Sequence, residues 1–112
     1  MALVHELEDL TKSPTAKLFE GGKHGDGIAV SFFVTAHPPG KGAGLHFHPY
    51  AEVFVVYEGE ATFTVGDDSV VATAGQVVVV PPESTHGFEN TGEGTLRIHS
   101  MHPSPEVIQT WV

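Results

Sequence analysis

From residue 28 onward the chain is a succession of short runs rich in valine, phenylalanine and threonine, each closed by glycine, proline or another turn-forming residue. Such residues fit a pleated, half-buried surface, and runs of roughly four to eight are too short for stable helices. The clearest run is Ile28 to Ala36, and Pro38-Pro39-Gly40 with Gly42 to Gly44 forms the loop beyond it. Leu45 to His48, Glu52 to Tyr57, Ala61 to Val65, Ser69 to Thr73, Gln76 to Val80, His86 to Asn90 and Thr95 to Met101 follow. Gly66-Asp67-Asp68 reads as a hairpin turn, and Pro81-Pro82 ends a strand because proline cannot donate to a ladder. Short strands recurring about every ten residues predict an all-β sandwich or barrel. The length of 112 residues fits one domain, and 13 glycines with 8 prolines suit many tight turns.

The ends of the chain read differently. Residues 1–26 form a mixed N-terminal arm, punctuated by Ser13-Pro14 and Gly21-Gly22, with a short strand at Lys17-Leu18-Phe19. Residues 27–102 carry the strands, and 103–112 predict a short C-terminal helix. Ser104 suits the cap, Pro105 the first helical position and Glu106 the positive end of the dipole. In the run Glu52 to Tyr57 the alternate positions Phe54 and Val56, and Val53, Val55 and Tyr57, are apolar on both faces. Both faces should therefore be covered. A folded-back N-terminal strand or a second copy would cover the outer one, and the expectation is a homodimer.

The charge balance excludes several function classes. Net charge is -9, and the only basic residues are Lys12, Lys17, Lys23, Lys41 and Arg97, scattered along the chain. No basic face for nucleic acid or for an anionic membrane can be built from them. No apolar stretch approaches the ~18–20 residues that span a bilayer. The N-terminus lacks the basic start and apolar run of a signal peptide, so a cytoplasmic protein is expected.

There are no cysteines but 8 histidines. Any metal must be held by nitrogen and oxygen. His46 and His48, one residue apart on a strand, share a face with about 7 Å between them along the chain. Glu52 follows a proline-containing turn and can reach back, and His86 opens a later strand after Pro81-Pro82. Three imidazoles and a carboxylate suit one divalent transition metal per chain, Zn, Fe, Mn, Ni or Cu, with positions left for water or substrate. The bland alternative is that the four are structural residues that hold no ion.

These residues resemble the cupin superfamily. Its first motif is matched by Gly40, His46-Phe47-His48, Glu52 and Gly59, and its second by Gly75, Pro81-Pro82, His86 and Asn90. Glu83 stands where the family has glycine. A positive φ there would cost about 1–2 kcal/mol, whereas a type I turn would cost nothing. The short stretch between Gly59 and Gly75 is similar to the small single-domain bacterial type. The resemblance implies a jelly-roll β-barrel over residues 1–112, with His46, His48, Glu52 and His86 as metal ligands. By strand parity Phe54 and Phe88 are candidate pocket walls. Tyr50, between the ligands, is a candidate for the pocket or equally for packing in its loop. His99, on the last strand, is a candidate for the pocket but reads more readily as a surface or hydrogen-bonded histidine. His99 and His102 differ in parity, so at most one points inward. His5, His24 and His37 read as surface residues. The resemblance implies a metal-dependent, oxygenase-like enzyme acting on a small organic molecule. The competing expectation is a metal- or ligand-binding module without turnover. No serine or cysteine nucleophile constellation is visible.

Overall fold

A computed structural model of the protein describes residues 2–112. A single 3-10 turn, Leu7–Leu10, leads into β1 (Thr11–Ser13) and β2 (Ala16–Glu20), which are followed by a one-turn helix α1 (Gly21–His24). The remaining strands are β3 (Ser31–His37), β4 (Gly42–Phe47), β5 (Glu52–Glu58), β6 (Glu60–Val65), β7 (Asp68–Thr73), β8 (Val77–Val80), β9 (His86–Asn90), β10 (Leu96–His102) and β11 (Thr110–Trp111). The larger sheet has the order β1-β2-β3-β10-β5-β8 and the smaller β11-β4-β9-β6-β7. Every pairing is antiparallel.

The all-β expectation holds, with two corrections. The sheets do not close into a barrel. The C-terminal helix is absent. The capping contact exists, since the Glu106 N–H approaches Ser104 Oγ at 3.4 Å, but the chain then runs on as β11. That strand pairs Thr110 with Phe47 and Trp111 with His46. A ten-residue segment gains little as an isolated helix, and an unpaired sheet edge offers it hydrogen bonds. The N-terminal arm also joins the structure through hydrogen bonds, because β2 pairs with β3 along its length. It prolongs the larger sheet at its edge.

Inward positions change character along the strands. In β10, Leu96, Ile98, Ser100 and His102 are buried, and in β5 Val56, Phe54 and Glu52 are buried. Their register sets Ile98 against Val56 and Ser100 against Phe54. In β9 Phe88 and His86 lie opposite Phe63 and Val65 of β6. One end of the space between the sheets is therefore an apolar core of Phe54, Val56, Ala61, Phe63, Ala72, Val80, Leu96 and Ile98. The other end is lined by His46, His48, Glu52, His86 and His102, all buried.

Two turns behind this arrangement are backbone-limited. Gly59 joins β5 to β6 with φ 87°, and a Cβ there would lie 2.6 Å from the Thr95 carbonyl oxygen. Glu83 has φ 66°, so the left-handed conformation is adopted by a residue with a Cβ. Its N–H donates to the His48 carbonyl at 2.8 Å, which ties the turn before β9 to the ligand strand. Relief of the left-handed strain, about 1–2 kcal/mol, exceeds the added chain entropy of glycine, about 0.5–1 kcal/mol. Glu83→Gly is thus expected to stabilise the fold by about 0.5–1 kcal/mol, read as a higher urea midpoint at unchanged slope. A lower midpoint would show that the Glu83 side chain contributes more than its backbone costs.

Candidate metal centre

Each ligand candidate is positioned by a different backbone device. His46 lies near the end of β4, His48 just beyond it, Glu52 at the first position of β5 and His86 at the first of β9. His46 and His86 are register partners across β4 and β9. The ligand atoms of His46, His48, Glu52 and His86 all lie within 4.8 Å of one another, and all four residues are buried.

The three imidazoles share one hydrogen-bonding pattern. His46 Nδ1 is 2.7 Å from the Gly44 carbonyl, His48 Nδ1 2.8 Å from the Ile108 carbonyl and His86 Nδ1 2.8 Å from the Ser84 carbonyl. A carbonyl only accepts, so each Nδ1 carries the proton. Each Nε2 is left with its lone pair, the form in which imidazole ligates metals. Yet Glu52 Oε1 is 2.9 Å from both His48 Nε2 and His86 Nε2. Two lone pairs at that distance repel unless a proton or a cation lies between them. Bonds of about 2.1 Å to one ion at right angles set two donors about 3 Å apart. The donor set therefore fits a divalent metal.

With no ion bound, protons on the imidazoles can fill the same contacts. Burial opposes the charge on Glu52, but contacts from His102, His48 and His86 outweigh it and hold the carboxyl far below the usual range. Burial opposes protonation of His86, and its hydrogen bonds to Glu52 and Ser84 outweigh burial and raise it above its ordinary value. His46 is lowered, chiefly by burial, against the raising effect of its Gly44 contact. A buried carboxylate among imidazoles is a site of concentrated negative charge that a cation neutralises.

A cavity of about 330 Å³ opens beside His46 and Glu52. Phe33, Phe54, Phe88 and Ile98 form apolar walls, and Thr35, Ser100, Lys12 and Gln109 add polar groups. Trp111 also lines it, with its ring 4.9 Å from that of His46. Phe54 and Phe88 thus line the cavity, as their parity suggested. Tyr50 is not among the lining residues. Its hydroxyl lies 2.7 Å from His102 Nδ1 and accepts the Ile108 N–H at 3.1 Å, and its ring stacks on His48 at 5.1 Å.

Two histidine expectations are corrected. His99 faces away from this cavity, with its ring 4.7 Å from that of Tyr57 on the outer side of the larger sheet. His102 is the inward residue, and its Nε2 approaches Glu52 Oε2 at 3.1 Å. Strand parity carried that information, because Leu96 and Ile98 share a face with His102 while Arg97 shares one with His99. His37 is buried and lines the cavity, edge-on to Phe88 at 5.3 Å, and burial lowers its pKa. It closes β3, and the proline pair after it suggested a surface loop. His5 and His24 lie apart from the site, with His5 Nε2 2.6 Å from the His24 carbonyl.

Comparison with known proteins extends the picture. The profile of the cupin domain matches residues 33–102. Protein SchB from Streptomyces halstedii is 37% identical over 62 residues, covering 54% of this chain and 44% of its own. A gentisate 1,2-dioxygenase from Haloferax is 35% identical over 51 residues, covering 46% of this chain and 14% of its own. The chain thus spans less than half the length of these relatives. Among solved structures, an oxalate decarboxylase from Bacillus subtilis superposes with a TM-score of 0.84 at 20% identity, over 96% of this chain and 31% of that one. The formate complex of the Lactobacillus farciminis enzyme gives 0.80 at 21%, over 94% and 34%. At such identities the likeness is one of fold, but the profile match covers most of the strands and both ligand motifs. The chain belongs to the cupin family.

Proposed function

We propose that the protein is a metal-dependent enzyme acting on a small organic molecule, with oxygenase-like chemistry. His46, His48, Glu52 and His86 would hold one divalent transition ion. The observation that carries this reading is the common Nδ1–carbonyl pattern, which leaves three Nε2 atoms unprotonated, two of them 2.9 Å from one carboxylate oxygen, in a group whose ligand atoms lie within 4.8 Å of one another. When bound, a redox-active ion such as Fe(II) would supply O2 activation, and any divalent ion a Lewis acid. The chain's own residues would do the rest. Phe33, Phe54 and Phe88 would exclude water and give the substrate apolar walls, and a cavity of about 330 Å³ admits a molecule of one-ring size. Gentisate dioxygenase among the relatives favours an aromatic or enol-type substrate. The test is metal analysis of protein purified without nickel affinity, followed by O2 uptake with a panel of aromatic and enol substrates. Near-stoichiometric iron or copper with substrate-dependent uptake is expected. Tightly held zinc with no turnover on any substrate would instead mark a non-catalytic binding module.

We infer, too, that the chain pairs with a second copy through the outer face of the larger sheet. Among the described residues no helix is long and apolar enough to cross a membrane. Val53 and Val55 are only half-buried, and Tyr57, Val77 and Val79 are exposed. The outward charges of β5 and β10 are Glu58 and Arg97, and they pair with each other at 3.5 Å. This face is therefore close to neutral on a chain of net charge -9, which lowers the repulsion between two copies that meet there. Light scattering is expected to give twice 11.9 kDa, and Val77→Lys with Val79→Lys to halve it. A parent mass of one chain at micromolar concentration would end this inference.

A further inference from the structure

Glu52 makes different contacts through its two oxygens. Oε1 lies 2.9 Å from the Nε2 atoms of His48 and His86, the ligand side of the site. Oε2 lies 3.1 Å from His102 Nε2. His102 is 1% exposed and lies outside the group whose ligand atoms converge within 4.8 Å. It therefore meets the carboxylate oxygen that His48 and His86 do not.

We propose that His102, oriented by Tyr50, is a positioning residue that holds Glu52 Oε2 so that Oε1 alone is presented to the metal. The inference rests on the metal-binding reading of the four ligands.

The hydrogen bonding behind His102 selects its tautomer. The Tyr50 hydroxyl oxygen already accepts the Ile108 N–H at 3.1 Å. Its own proton is free for His102 Nδ1 at 2.7 Å. Nδ1 then accepts, and the ring proton lies on Nε2, facing Oε2. The Nε2 to Oε2 contact has hydrogen-bond length but is out of line, and Nε2 has no other partner. Attraction between a ring N–H and a carboxylate survives poor alignment better than a neutral hydrogen bond does, and a buried site screens it little. A buried N–H with no alternative acceptor also resists leaving that oxygen, because it would then be unsatisfied.

One backbone unit serves both halves of the site. The Ile108 carbonyl fixes the His48 tautomer at 2.8 Å, while the Ile108 N–H fixes the Tyr50 hydroxyl that supports His102. The C-terminal segment thus reaches a ligand directly and the carboxylate through two side chains. An α-helix over these residues would turn both Ile108 groups to its own ladder, which gives the extended conformation a structural use. The Tyr50 ring, stacked on His48 with planes 3° apart, has little freedom to release its hydroxyl.

The experiment compares Mn(II) binding to the parent chain, His102→Leu, His102→Gln and Tyr50→Phe, by equilibrium dialysis and by the EPR spectrum of the bound ion. His102→Leu is expected to weaken binding about 10–100-fold, as loss of a group that orients a ligand does, and to change the Mn(II) spectrum. His102→Gln keeps an amide N–H within reach of Oε2 and should recover most of the affinity and the parent spectrum. Tyr50→Phe keeps the ring and loses the hydroxyl, so it should weaken binding by a smaller factor. It supplies the readout should the leucine variant fail to fold. Unchanged affinity and spectrum in His102→Leu, or in Tyr50→Phe if it alone folds, with a parent that binds Mn(II), would overturn this inference alone. A loss in His102→Leu that glutamine does not relieve would mark a packing role and overturn it as well. A parent chain that binds neither Mn(II) nor any other divalent ion would overturn both this inference and the metal reading beneath it.

Discussion

Glu52→Gln is expected to lower divalent-metal affinity by about 100-fold or more while leaving a folded protein. Apparent binding energies of four-ligand sites run to about 10–16 kcal/mol, so one ligand of four carries on the order of 3 kcal/mol. Glu52 is also the only anionic member of the set, since its partners are His46, His48 and His86. The fold should survive because glutamine has nearly the same shape. Its amide nitrogen can donate to the lone pairs of His48 and His86, which each lie 2.9 Å from Oε1 in the parent. In the metal-free state the depressed carboxyl shows that the fold favours the charged form of Glu52, so the neutral substitute should lower the metal-free melting temperature modestly at neutral pH. Glu52→Ala would lower metal affinity as well, but it opens a void and leaves the histidine cluster without a partner. The pair of variants separates loss of charge from loss of packing. Dialysis against a chelator followed by Mn(II) or Zn(II) titration gives the affinities. An affinity in Glu52→Gln within a few-fold of the parent would mean that Glu52 is not a ligand.

How the site was legible depends on the physics that each residue obeys. His46 and His48 were readable because a strand repeats every two residues, so spacing alone sets them on one face. Glu52 and His86 needed the motif, because a turn of unknown geometry separates Glu52 from the first pair and the strands β5 to β8 separate His86 from it. The inward choice between His99 and His102 was readable in principle. Leu96 and Ile98 are buried, and the same alternation carries His102 inward and His99 to Tyr57. The role of Tyr50 was not readable, since its partners His102 and Ile108 are distant in sequence and meet it only across the fold. The C-terminal helix failed for a related reason. Ser104, Pro105 and Glu106 state a local preference of a few tenths to about 1 kcal/mol, and pairing with the free edge of β4 outweighs it. At Glu83 the sequence left two turn geometries open, and the donation to the His48 carbonyl accompanies the left-handed one.

Saturation with metal is expected to raise the melting temperature by about 10–20 °C, and a chelator to reverse it. A ligand at 100 to 1,000 times its dissociation constant stabilises by about 2.7–4.1 kcal/mol. For a chain of 112 residues, each kcal/mol moves the midpoint by about 4–5 °C. The gain should depend on pH in a stated direction. His86 titrates above its ordinary value of 6.5 in the metal-free fold because Glu52 and the Ser84 carbonyl hold its proton against burial. Protonation of His86 therefore contributes stability to the metal-free fold that is full below pH 6.5 and is lost as pH rises through the raised value. Metal binding requires the same imidazole unprotonated, so the ion competes with that proton. At about pH 6 the ion must displace it, and at about pH 8 the competition is weaker. The metal-free chain thus loses its His86 contribution over the interval in which the metal-bound chain gains affinity, and the difference between their melting temperatures should widen from about pH 6 to about pH 8. Glu52 works in the opposite sense, since its depressed value contributes stability above the ordinary carboxyl range that is lost on acidification. Scanning calorimetry with and without Zn(II) at both pH values measures the difference. A gain that shrinks toward pH 8 would show that His86 is not a ligand, whereas no gain at either pH would remove the ion from the site altogether.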